Sequence, residues 1–113
     1  MKCMFIVLNN TDKLDELLST LADNGINGAT ILESTGMAHK LLSDDYSTRF
    51  LGSLRNVLNN DREKNTTIFM VLSDEQVLLA RVAVKKVLKN ITKPDTGILF
   101  TVPVDFVEGV NNL

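Results

Sequence analysis

The fold of this chain follows from the stretch CMFIVL at residues 3–8, in which every residue is apolar. A short apolar run that ends in polar residues is typical of a strand whose two faces are both covered. The order strand, helix, strand occurs twice, and we predict the segments as Cys3–Leu8, Asp12–Asn24 and Ala29–Ser34, then Thr67–Leu72, Asp74–Lys89 and Ile98–Val104. Two such units predict a split βαβ fold of the α+β class, with one four-stranded antiparallel sheet.

The faces of this sheet differ in what can cover them. The second strand carries Thr30, Glu33 and Ser34 and is the most polar, as expected of an edge strand, which makes the first and third strands central. Two helices on one face leave the apolar side chains of the other face exposed, and such a patch exceeds what soluble monomers usually show. We therefore expect copies of this chain to associate through that face.

Each predicted helix has an apolar stripe and recognisable end signals. Leucines at 14, 17, 18 and 21 form one stripe on the first helix, and Gly25 is placed to end it in a left-handed conformation. Ser73 and Gln76 form a predicted capping box at the start of the second helix. Lys85, Lys86 and Lys89 suit the negative C-terminal end of that helix, and this effect is sufficient to explain them.

Composition excludes several classes of function. The 113 residues fit a single domain, residues 1–113, with a formal net charge of −2 and a pI near 5.3. Without a basic surface, nucleic acid is not an expected partner. Cys3 is the only cysteine, so no disulfide within the chain is expected, and the apolar run ending at Leu8 is too short to span a bilayer. We expect a cytoplasmic protein.

A polar insert, Gly36 to Asn65, separates the two units. Connections longer than about 12–15 residues are uncommon in compact domains and are usually functional or disordered. Within it, Phe50 to Leu58 has apolar residues at helical spacing, which predicts a short helix that is stable only when its apolar face is docked. We therefore expect the insert to carry the function.

The order of these segments is similar to that of a known family. The first strand and helix are followed by Gly28-Ala29-Thr30 at the second strand, by Gly36 at the insert, and by GILFTVPVD at residues 97–105. Together they resemble the PII signal-transduction superfamily, the nitrogen regulatory protein P-II group, of which this chain looks like a divergent member. The similarity extends over nearly the whole chain.

The resemblance implies a ferredoxin-like fold assembled as a homotrimer, with the sheets lining its inside. It implies a regulator and not an enzyme: PII proteins sense adenine nucleotides and 2-oxoglutarate in clefts between subunits. Their long effector loop, here residues 36–65, then acts on an effector protein, which is an enzyme, a transporter or a transcription regulator. The resemblance thus implies contact with a membrane only through a partner transporter. The implied role is signal transduction in nitrogen regulation.

Two groups of residues are candidates for these contacts. Glycines and threonines at the insert and before the last strand are explained either by turn chemistry or by backbone amides that hold an anion between subunits. The candidate ligand-binding residues are Thr30, Thr35, Gly36, Lys40, Thr96 and Gly97. The candidate partner-binding residues of the loop are Tyr46, Arg49, Phe50, Leu54, Arg55 and Arg62.

The departures from the family pattern concern phosphate binding. Ile98 stands where the family has a lysine that meets the nucleotide phosphates, and Gly109 and Asn111 stand at the positions of two arginines. Tyr46 does not match the motif of the tyrosine that is uridylylated in the family. The expected ligand is therefore a weakly bound adenine nucleotide or another small metabolite, and no cofactor is assigned.

Two other functions remain as alternatives. A small enzyme on the same scaffold is the alternative from a different class, since fold alone does not determine function, although no nucleophile or acid–base pair stands out. An RNA-binding module needs exposed aromatic residues on a basic sheet, which an acidic chain does not favour. His39 is the only histidine, and without neighbouring ligands at a suitable spacing we predict no metal site.

Overall fold

The computed structural model describes residues 1–43, 64–89, 91 and 96–110. Within these ranges the strands and helices of both units are present, so the α+β class is confirmed. The elements are β1 (Lys2–Leu8), a 3-10 turn (Thr11–Lys13), α1 (Leu14–Asp23), β2 (Thr30–Ser34), α2 (Met37–Ser43), β3 (Asn65–Leu72), α3 (Asp74–Leu88) and β4 (Gly97–Pro103).

The four strands form one antiparallel sheet in the order β2-β3-β1-β4. β1 pairs with β3 on one side and with β4 on the other, so that Phe5 lies between Phe69 and Phe100. β2 pairs only with β3 among the described strands, and Thr30 lies opposite Phe69. The prediction that the first and third strands are central and the second is an edge is confirmed.

The core lies between one face of the sheet and the helices α1 and α3. Alternate residues of the two central strands point into it, and Met4, Ile6 and Ile68 are fully or almost fully buried. On the helix side, Leu17 and Leu21 of α1 meet alanines and valines of α3. These helix residues are Leu17, Leu21, Ala80, Ala83, Val84 and Val87. Alternate burial along β1 and β3 follows from the period of two in a strand.

The other face of the sheet has no helix of the described residues on it. Its central row is aromatic: the Phe5 ring stacks on that of Phe100 with centroids 5.0 Å apart, and lies 5.9 Å from that of Phe69. Stacked rings contribute beyond the area they bury. This side, which we call the open face, also carries Cys3, Val7, Leu32, Val71, Ile98 and Val102.

The predicted helix signals are confirmed. The Gln76 backbone N–H donates to the Ser73 hydroxyl, and the Ser73 backbone N–H donates to the Gln76 side-chain carbonyl, at 3.2 and 2.9 Å. Gly25 has φ of 82° after α1, and its N–H donates to the Ala22 carbonyl. The Ile26 N–H donates to the Leu21 carbonyl, which completes a Schellman motif and leads the chain into the core.

Several predicted boundaries were wrong. Asp12 and Lys13 belong to a 3-10 turn, because the Asn10 side chain accepts from the Asp12 amide and begins a tighter turn before α1. The insert is shorter than predicted at its end, because Asn65 and Thr66 pair with β2 as part of β3. Its start holds α2, which was not predicted. The predicted helix at residues 50–58 lies outside the described residues.

No helix of the described residues is long and apolar enough to cross a membrane.

Candidate functional site

The candidate ligand residues near the insert and near β4 lie at the same end of the sheet. In the register, Ser34 at the end of β2 lies opposite Asn65, and Leu8 at the end of β1 lies opposite both Thr66 and Gly97. Strand β2 and strand β4 are nevertheless opposite edges, separated by the two central strands. At about 4.8 Å per strand spacing the two corners are roughly 14 Å apart. One chain therefore does not bring Gly36 and Gly97 together.

At the β4 corner the backbone is packed tightly against β1. Gly97 has φ of 145°, and a Cβ atom there would lie 2.2 Å from the carbonyl oxygen of Val7. The Asn9 N–H donates to the Thr96 carbonyl at 3.1 Å. Only glycine fits such a close approach, so the packing role of Gly97 is evident from the geometry. Its role in ligand binding stays a prediction.

At the β2 corner the chain turns directly into α2. The Lys40 N–H donates to the Gly36 carbonyl at 3.0 Å, so Gly36 is tied to the first turn of this helix. Thr35 and the Lys40 side chain are exposed. Because α2 follows the strand without a long loop, these two candidates lie near one another and near the edge of the sheet.

A polar cluster beside this corner was not predicted from the sequence. The Ser34 hydroxyl donates to the Asn65 side-chain carbonyl and lies 2.7 Å from the Thr67 hydroxyl. Since the Ser34 proton is used for Asn65, the Thr67 hydroxyl donates to Ser34. The cluster also approaches Gly36, where a Cβ atom would lie 3.6 Å from Asn65 Nδ2. In the sequence, the polar residues at the start of β3 were the only indication of this cluster. The cross-strand register was needed to show that they lie against Ser34.

Thr30 lies apart from the other ligand candidates. It lines a hollow of about 370 Å³ formed by the turn before β2, the second half of β3 and the segment after β4. Gly109, the position where the resemblance implies an arginine, lines the same hollow, together with Gln76. No lysine or arginine is among the described residues that line it. The hollow can hold a neutral, hydrogen-bonding group more readily than a phosphate.

The remaining candidates are placed as follows. The partner-binding residues Tyr46, Arg49, Phe50, Leu54, Arg55 and Arg62 lie outside the described residues. His39 is half-buried on α2, and no group of three or more His, Cys, Asp or Glu side chains that could hold a metal occurs in the part of the chain that the structure describes.

Comparison with known proteins assigns the family. Comparison with curated protein sequences finds no match to this chain. The family model of the nitrogen regulatory protein P-II matches residues 1–112, nearly the whole chain, in agreement with the four-stranded antiparallel sheet and its two covering helices. The chain therefore belongs to the nitrogen regulatory protein P-II family, and a regulatory role in signal transduction is the function that this membership supports.

Proposed function

We propose that this chain is a trimeric regulator that binds a small molecule in clefts between its subunits and acts on a partner protein through residues 36–65, in nitrogen regulation. The observation that supports the proposal best is the position of the ligand candidates. Apart from Thr30, they lie at one end of the sheet but at its two opposite edges, where a second copy is placed to complete a site.

The open face supplies the free energy for assembly. Leu32 is 50% exposed, Ile98 57%, Phe100 44% and Val102 40%. Complete burial of such a side chain contributes about 1.5–3 kcal/mol, so burying the exposed halves of these four gives roughly 3–6 kcal/mol per subunit. Partly exposed Phe5 and Phe69 add to the same surface. An assembly with the open faces inside removes this surface from water.

A cyclic arrangement joins the two corners. In a head-to-tail ring, the β2 edge of each subunit meets the β4 edge of the next subunit. The ring closes when the last subunit meets the first, so no edge is left to bind further copies. Thr35, Gly36 and Lys40 from one subunit then face Thr96 and Gly97 from its neighbour. Thr30 lies at the other end of the same edge strand, where it lines the separate hollow.

The ligand of this cleft is weakly charged. Ile98 and Gly109 replace cationic residues of the family pattern, and the hollow around Thr30 has no cationic side chain among its described lining residues. Adenine nucleotides are then held mainly through the base and through backbone amides. A less charged metabolite with several hydrogen-bonding groups is the ligand that fits better.

A two-part experiment tests this function. Light scattering on the purified protein at micromolar concentration should give the mass of a trimer, and a thermal-shift screen should detect ligands among nucleotides, cyclic dinucleotides, bicarbonate and 2-oxoglutarate. A ligand present at 100 times its dissociation constant adds about 2.7 kcal/mol to stability. A regulator returns the ligand unchanged. A stable monomer of 12.5 kDa contradicts the proposal, and chemical turnover of the ligand favours the alternative of a small enzyme.

A further inference from the structure

Helix α3 is apolar on two opposite sides, and the described residues cover only one of them. Its outer side carries Leu78, Leu79 and Val82, which are 60%, 40% and 62% exposed. The residues buried on its core side are Ala80, Ala83, Val84 and Val87. A surface helix normally has polar residues opposite the core, and a helix that is apolar all round is normally buried. The outer side of α3 therefore has the composition of a contact surface.

The exposed residues of this side include a line with a charge at each end. Glu75, Leu79, Val82 and Lys86 are all exposed and are spaced by four, three and four residues. This is the spacing of a coiled-coil seam, and it gives a line about 16 Å long at 1.5 Å per residue. We call these four residues the outer stripe. Within the described ranges neither Glu75 nor Lys86 is in an ion pair.

The outer stripe is separate from the surfaces of the proposed ring. The ring uses the edges β2 and β4 and the open face, whereas α3 lies on the other side of the sheet and its outer stripe is opposite its buried residues. Of the four residues, Val82 alone also lines a groove between α3 and β4. The ring therefore leaves the outer stripe exposed.

We infer that the outer stripe binds the outer stripe of a second copy, with the two α3 helices antiparallel about a two-fold axis. With the axis midway between Leu79 and Val82, Leu79 of each copy faces Val82 of the other. Glu75 of each copy then faces Lys86 of the other, so opposite charges meet at both ends of the pair. A two-fold interface uses the same patch twice and requires this self-complementarity.

The charges disfavour the parallel orientation. In a parallel pair Glu75 faces Glu75 and Lys86 faces Lys86, and like charges placed opposite each other weaken binding and select against that arrangement. The order acid, apolar, apolar, base is complementary to its own reverse, which makes a copy of this chain the partner that fits it. One helix pair buries less surface than the roughly 1,200 Å² of a standard stable interface, so we expect pairing at protein concentrations of about 0.1–1 mM.

Sedimentation equilibrium of the full chain at about 0.02–1 mM measures the pairing. Glu75→Lys and Lys86→Glu should each weaken it about tenfold, because each variant replaces two attractive contacts by two repulsive ones. Combining the two substitutions should restore wild-type pairing, because the facing charges are opposite again. The control Asp15→Lys makes the same change of charge in the first turn of α1 and should leave the pairing unchanged.

The apolar centre is tested in the same way. Leu79→Gln should weaken the pairing about tenfold, because it places an amide where Val82 of the second copy packs. Met37→Gln, at an exposed position on α2 outside the outer stripe, should leave it unchanged. The substituted side chains are all exposed, so circular dichroism should show folded variants.

A cross-linking experiment tests the orientation. Glu75→Cys and Lys86→Cys are made separately in a Cys3→Ser background, so that each chain has one thiol. When the two variants are mixed and oxidised, a disulfide should join position 75 to position 86. Each variant alone should cross-link much more slowly, since two copies of position 75 are about 16 Å apart along an antiparallel pair and a disulfide needs a Cα separation of about 4.4–6.8 Å.

Four results would overturn the inference. They are a mass that does not rise up to 1 mM, single charge variants that pair like the wild type, a double variant that pairs as weakly as the single ones, and equal cross-linking of Glu75→Cys alone and in the mixture. The inference does not depend on the proposed function, because α3 pairs join single chains or whole trimers alike. The mass at micromolar concentration tests the trimer, and its further rise at higher concentration tests the pairing.

Discussion

The tightest contact of the sheet leads to a quantitative prediction, for the variant Gly97→Ala. A Cβ atom at this position lies 2.2 Å from the Val7 carbonyl oxygen, and the φ of 145° is one that residues with a side chain rarely adopt. Backbone strain of this kind costs about 1–3 kcal/mol. Relief of the overlap requires β4 to move away from β1, and overpacking of a fitted site adds about 1–3 kcal/mol. The free energy of unfolding should therefore fall by about 2–6 kcal/mol.

Urea unfolding at fixed protein concentration, followed by circular dichroism, measures this loss. The matched control is Gly28→Ala, because a Cβ atom at Gly28 has no neighbour within 4 Å and its φ does not lie in the positive region. Gly28→Ala should change the free energy of unfolding by less than about 1 kcal/mol. The expected change is a small increase, because alanine lowers the conformational entropy of the unfolded chain. If the two variants lose the same free energy, the close approach of Gly97 to β1 does not determine the start of β4.

Three further predictions concern assembly, capping and ligand choice. Phe100→Asp should shift the light-scattering mass towards the monomer, because it places a charge on the open face. The control Thr101→Asp changes an exposed residue on the other face and should leave the mass unchanged. Equal masses for both variants would refute the role of the open face. Ser73→Ala should lower the free energy of unfolding by about 1 kcal/mol through loss of the capping box, and Ser19→Ala, at an exposed position inside α1, should have little effect; denaturant unfolding compares them. Calorimetry should show that ATP, ADP and AMP bind with similar, weak affinity or do not bind. Two missing charge-assisted contacts weaken ATP binding by a factor of roughly 100 or more. A micromolar dissociation constant for ATP, with a strong preference over AMP, would show that other cations have replaced those of the family.

Part of the candidate site was accessible from the sequence. The loop residues 36–65 and the glycines at 36 and 97 stand out because glycine at a turn and a long polar connection are local signals. The cluster of Ser34, Asn65 and Thr67 was not accessible. Its residues are distant in the chain, and their contact depends on the strand register.

The sequence by itself determined the order of the four strands and the two long helices, the apolar faces, the capping box of α3 and the end of α1 before Gly25. These features depend on residues within one or two turns of each other, so local propensity and periodicity specify them. Only the tertiary structure decided the register, the start of β3 at Asn65, the close contact of Gly97 with Val7, and the separation of the ligand candidates onto opposite edges. Each of these results from pairing between residues far apart in the chain, where packing and hydrogen bonds of the whole sheet outweigh local preference.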